Sequence, residues 1–197
     1  MSSLSSMLTV ALYAMLFQNL IFGPAFGMSE SIRMAKRPKH LAMYAGFFLL
    51  FSLFTSGICY FIYKAQWVLS LPYRFTFIID TLVLALVYLS VAAVCRFLLK
   101  ADKKFMNSLG MCAFNTLIIA IPTINTKFGH SFWESLGLSI GACLAFLLSM
   151  LLINAGMRFI KDNKNIPEAF SGTPALFIYV SLLALSLSCI SSGSLFV

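Results

Sequence analysis

Phe17-Gln18-Asn19-Leu20-Ile21-Phe22-Gly23-Pro24-Ala25-Phe26-Gly27-Met28-Ser29 is an apolar run punctuated by an amide pair, a Gly-Pro and a second glycine. A helix facing lipid must bond every backbone group internally, and Pro24 both lacks an N–H and blocks a bond of the preceding turn. Such a stretch belongs where protein or a wet cavity lines the backbone. Near the middle of the chain stands a weaker echo, Phe114-Asn115-Thr116-Leu117-Ile118-Ile119-Ala120-Ile121-Pro122, again an amide followed by apolar residues and a proline. Two interrupted segments in corresponding positions of two halves mark inverted repeats that meet near the bilayer midplane.

Sixty per cent of the 197 residues are hydrophobic and ten per cent charged, with a mean hydropathy of +0.94. A soluble domain carries about a quarter charged residues, so this composition defines an integral membrane protein. A helical span needs about 20 apolar residues, and runs at 7–26, 40–63, 75–99, 105–124, 134–157 and 172–196 qualify. The first residues lack the basic stretch of a cleavable signal, so the first run is expected to be retained as a span. The connectors are short, which leaves no room for a nucleotide or flavin domain. The expectation is an all-α membrane protein, one domain over 1–197, with six transmembrane helices and interrupted first and fourth helices. Three helices per half put the second half in from the opposite side, giving a 3+3 inverted-topology repeat with halves 1–100 and 101–197.

The net charge of +8 does not point to nucleic acid, because the basic residues form no extended face. They cluster in alternate connectors. Arg33, Lys36, Arg37, Lys39, Arg96, Lys100, Lys103, Lys104, Arg158, Lys161 and Lys164 are eleven of the fourteen, and only Lys64, Arg74 and Lys127 fall in the others. That bias puts connectors one, three and five in the cytoplasm and both termini outside, with the basic groups meeting lipid headgroups. Trp67, Tyr73 and Trp133 suit the outer interface.

Gly137, Gly141 and Ala145 recur at intervals of four beside Ser139 and Ala142, which allows another helix a close approach. Cys59, Cys95, Cys112, Cys143 and Cys189 are scattered without a metal-ligand spacing and read as small buried residues. Asp80 is the one acid well inside a span, where a carboxylate costs about 2.5–3.5 kcal/mol on insertion scales. It reads as a cation or proton contact or as a boundary residue snorkelling to water. Asn154 and the serines of 186–192 read as interhelical hydrogen-bond partners, and His40 and His130 as interface residues. No catalytic triad, paired carboxylate or glycine-rich phosphate loop is present.

With its spans in place the chain resembles the six-helix membrane subunits of the Rnf and sodium-pumping NADH:quinone reductase complexes, closest to the RnfA/NqrE branch. The resemblance covers the whole chain. It rests on Phe17-Gln18-Asn19 with Phe26-Gly27-Met28, on Ser108-Leu109-Gly110 leading to Phe114-Asn115-Thr116, on the small-residue face of the fifth span with Met157-Arg158, and on Ile166-Pro167-Glu168-Ala169-Phe170-Ser171-Gly172. It implies a bacterial-type inner membrane, with other complex subunits as partners, among them a sister six-helix membrane subunit. It also implies one cysteine near the centre of each half, which with the sister's pair holds a [2Fe-2S] cluster. Here Ser29 and Thr116 stand in those two places. Hydroxyls are poor cluster ligands, and while Cys112 lies four residues before Thr116, no cysteine is close in sequence to Ser29. The cofactor-binding positions are thus Ser29, Thr116 and Cys112, and the polar centre Asn19, Asn115 and Asp80. Two functions follow: a membrane subunit of an Rnf/Nqr-type ion-translocating electron-transport complex, or a cluster-free paralogue acting as a small transporter or structural scaffold.

Overall fold

The computed structural model describes residues 3–17, 19–37, 40–65, 75–97, 100, 102–163 and 165–190. Over these the chain forms eight α-helices and a short 3-10 turn, with no strand among the described residues. They are α1 (Ser3–Leu16), α2 (Met28–Ala35), α3 (Leu41–Tyr63), α4 (Thr76–Phe97), α5 (Lys103–Ala113), α6 (Thr116–Phe128), α7 (Phe132–Asp162), the 3-10 turn (Glu168–Phe170) and α8 (Thr173–Ile190). Four stretches are long and apolar enough to cross a membrane: α3, α4, the α5–α6 pair over Phe105–Phe128, and α7. α1 and α8 are shorter apolar helices.

The run expected at 7–26 is helical only to Leu16, because the punctuated stretch after it abandons helical geometry. The 14 residues of α1 rise about 21 Å at 1.5 Å per residue, less than the roughly 30 Å hydrocarbon core. The run expected at 172–196 is helical through Ile190, and its last residues lie outside those described, as do Trp67, Tyr73, Lys39, Arg74 and Lys164.

α7 is the hub, with α1, α2, α3, α6 and α8 all packed on it. The small-residue stripe explains the closest of these contacts. A Cβ built on Gly137 would run into the Met7 carbonyl and one on Gly141 into the Ala11 carbonyl, so α1 lies directly against the α7 backbone. The opposite edge of α1 presents Leu4, Leu8, Leu12 and Leu16, four residues apart and exposed, as a lipid-facing ridge. α4 and α8 likewise turn Leu82, Leu86, Leu182 and Leu185 outward. Inside, Phe48 stacks on Phe146 with ring centroids 4.8 Å apart.

Polar side chains are turned inward and tie helices together. Ser149 Oγ donates to Ser31 Oγ at 3.1 Å, Asn154 Nδ2 to the Ala35 carbonyl at 2.6 Å, and the Tyr179 hydroxyl to the Leu152 carbonyl at 3.1 Å. Asn154 thus bonds between helices, whereas Ser186 and Ser188 donate to Leu183 and Leu185 of their own helix. Exposed serines on α8 have no neighbouring helix to reach. All five cysteines are free and four are buried, but Cys189 is exposed and Cys143 donates to the Ala45 carbonyl at 3.3 Å.

Candidate functional site: the contact between two helix breaks

After α1 the backbone folds back on the Asn19 side chain. Asn19 Oδ1 accepts the N–H groups of Ile21 at 3.0 Å and Phe22 at 3.3 Å, and the Asn19 carbonyl accepts Gly23 N–H at 3.0 Å. Ala25 and Gly27 then take left-handed φ values of 61° and 72°, which turn the chain into α2. At the second break, Asn115 leaves helical geometry at φ −110° and ψ 129°, and its Oδ1 accepts Leu117 N–H at 3.0 Å to cap α6. Pro122 sits inside α6, so the asparagine and not the proline interrupts this segment. Each break therefore uses one asparagine to replace backbone partners that the helix would have supplied.

The two breaks touch. Gly27 N–H donates to Thr116 Oγ1 at 2.9 Å, joining residues 89 apart in sequence. A Cβ on Gly27 would lie 2.6 Å from Asn115 Oδ1 and 3.1 Å from Leu117 Cβ, so the approach requires glycine for space as well as for φ. Asn115 is fully buried, and among the described residues its Nδ2 has no partner.

Beside this contact lies a cavity of about 690 Å³. Ser29 and Thr116 both line it, with Leu20, Phe26, Phe77, Thr123, Lys127 and Phe128. Cys112 does not. It is buried in the main apolar core, and the spacing that would place it on one face with Thr116 presumes an unbroken helix, which the turn at Phe114 and Asn115 removes. Asn19 and Asn115 are buried at the breaks, and Asp80 sits apart from them on α4. Its exposure is 0%, so it does not snorkel to water. Its carboxylate accepts the Tyr63 hydroxyl at 2.6 Å and the Thr123 hydroxyl at 2.6 Å, with the Cys59 thiol also bonded to it. Thr123 belongs to both groups, lining the cavity and bonding Asp80.

Thr123 and Lys127 were not singled out by sequence. A signal existed, since Thr116, Ala120, Thr123 and Lys127 follow helical spacing from the capping asparagine and present one face. The Gly27–Thr116 bond left no local signal.

The donor set does not fit an iron–sulfur cluster. The two hydroxyls at the break contact stand where thiolates would be needed, Thr116 Oγ1 is engaged by Gly27 N–H, and no group of three or more metal-ligating side chains exists among the described residues.

An all-helical membrane protein whose two broken segments meet at a polar contact is the class that this architecture defines. No family model matches the chain. Its curated relatives share one description: the RnfA component of an ion-translocating oxidoreductase complex. The protein so described from Syntrophotalea carbinolica is 23% identical over 188 residues, 93% of this chain and 95% of that one. The one from Aromatoleum aromaticum is 38% identical over 72 residues, 36% of this chain and 37% of that protein, and the one from Colwellia psychrerythraea is 31% identical over 72 residues, again 36% and 37%. The chain is a homologue of these subunits, of the Rnf/NqrE-like kind.

Proposed function

We propose that the chain is a membrane subunit of an Rnf/Nqr-type ion-translocating electron-transport complex. In this reading it sits in a bacterial-type inner membrane with both termini outside, beside the complex's other proteins, one of them a sister six-helix subunit. The six apolar runs are six spans, arranged as a 3+3 inverted repeat with halves 1–100 and 101–197. The observation that carries the reading is the Gly27–Thr116 hydrogen bond, because it brings together the two breaks that an inverted repeat would place at its centre. The near full-length likeness to the RnfA protein of Syntrophotalea carbinolica supports it.

Asn19 and Asn115 build the polar centre, and Ser29 and Thr116 face the cavity without serving as cluster ligands. Asp80, separated from that cavity by the Thr123 side chain, is the ionisable group placed to exchange a proton or cation with it. Any electron path past this chain therefore draws its thiolates from other subunits.

Isolation through an affinity tag on this chain tests the proposal. The expected result is co-isolation, in fixed ratio, of membrane and flavin-bearing subunits, while the chain expressed alone is colourless and free of iron. A stable chain that co-isolates with no redox subunit but moves solutes in vesicles would establish the cluster-free transporter instead.

A further inference from the structure

A second cavity, of about 1200 Å³, opens between the end of α2, the start of α3 and the face of α5, away from the helix breaks. Its rim carries Lys36, Arg37 and His40, all exposed, against a single acid, Asp102. Deeper in, it is lined by Tyr44, which is only 2% exposed and whose hydroxyl has no hydrogen-bond partner among the described residues. A buried O–H normally finds an acceptor, and here the free acceptor position is the cavity itself. The Tyr88 phenol lines the same space and also lacks a partner among those residues. The remaining wall is apolar, formed by Phe105 and by the methionines at 43, 106 and 111.

The groups awaiting a partner are two permanent cations and two phenolic donors, which suits an anion rich in acceptor oxygens. A small soluble anion would leave the methionine and phenylalanine wall unmatched. We infer that this cavity binds an anionic phospholipid, with the headgroup phosphate between Lys36, Arg37 and the Tyr44 hydroxyl and an acyl chain along Phe105 and Met106. Basic pockets between membrane helices hold acidic lipids in this way. Nothing in the inference depends on the redox role of the chain.

Native mass spectrometry and thermal unfolding of the full chain in neutral detergent test it, with phosphatidylglycerol, phosphatidylcholine of the same acyl chains, and inorganic phosphate as separate additives. Phosphatidylglycerol is expected to bind and raise the unfolding midpoint, and the other two are not. The Lys36→Gln/Arg37→Gln variant is expected to weaken phosphatidylglycerol binding by about tenfold or more, and Tyr44→Phe by about threefold, with phosphatidylcholine unaffected. Arg158→Gln/Lys161→Gln removes exposed cations elsewhere and is expected to change nothing. Equal binding of the two lipids, an equal loss in the Arg158/Lys161 control, or full affinity in the Tyr44→Phe and Lys36/Arg37 variants would overturn the site. Stabilisation by inorganic phosphate as strong as by the lipid would overturn the lipid assignment.

Discussion

Gly27 combines two demands at one Cα, a φ of 72° and the proximity of Asn115 Oδ1. A side chain in the left-handed region costs roughly 1–2 kcal/mol by itself. Gly129 has a similar φ of 63° but no atom near its Cβ position, so it serves as an internal control. Gly27→Ala is expected to lower stability by at least about 2 kcal/mol and Gly129→Ala by about 1 kcal/mol, read from unfolding midpoints in detergent. Equal losses would mean that the contact between the breaks adds nothing. At His130, just outside α6, burial holds the imidazole below its ordinary 6.5, with Glu134 pulling the other way. The unfolded chain therefore binds the proton more readily, so this contribution is complete above about pH 6.5 and is lost as pH falls through the lower folded value. His130→Gln is expected to flatten the fall in unfolding midpoint between about pH 6.5 and pH 5, and an unchanged slope would exclude the imidazole as its source. Asn19 and Asn115 were legible as single residues because an amide in an apolar run needs a partner. Cys112 was misplaced because counting by four assumes a continuous helix.

Between elements, the stripe of Gly137 and Gly141 announced a close helix contact but not its partner, since a small-residue face fits any helix that reaches it. The partner is α1, whose carbonyls lie over both glycines. Gly141→Leu is expected to displace α1, costing about 3 kcal/mol or more through overpacking, whereas Leu8→Ala on the exposed ridge of α1 is expected to cost under about 0.5 kcal/mol. Reversed magnitudes would mean that α1 packs through its leucine edge. The second contact between elements, Ser29 of α2 with Thr116 of α6, is open to thiol chemistry. A Ser29→Cys/Thr116→Cys variant is expected to be crosslinked across the cavity by a short bifunctional maleimide. Ser29→Cys alone, with the native Cys112 as its only nearby thiol, is not. Crosslinking of the single variant would return Cys112 to the cavity.

At the scale of the molecule, hydropathy alone disclosed a helical membrane protein, because apolar ridges facing outward and serines facing inward leave the composition no other reading. It could not disclose where helices stop: the runs at 7–26 and 105–124 look continuous in hydropathy, yet hydrogen bonding divides both. Orientation remains a matter of charge. Single-cysteine probes at Ser3 and Gly129 are expected to react with an impermeant thiol reagent from outside and a probe at Lys103 is not, since eleven of the fourteen basic residues lie in the connectors on the latter side. Labelling of Lys103 alone would invert the molecule. The bond between Gly27 and Thr116 also sets an order of events during synthesis. The first break is made early, but its partner emerges from the ribosome 89 residues later, and the α7 glycines that receive α1 later still. Until then the nascent chain holds an unpaired backbone amide and a helix too short to cross the bilayer, so its opening segment has to wait at the insertion machinery or at the membrane surface until the second half arrives to close over it.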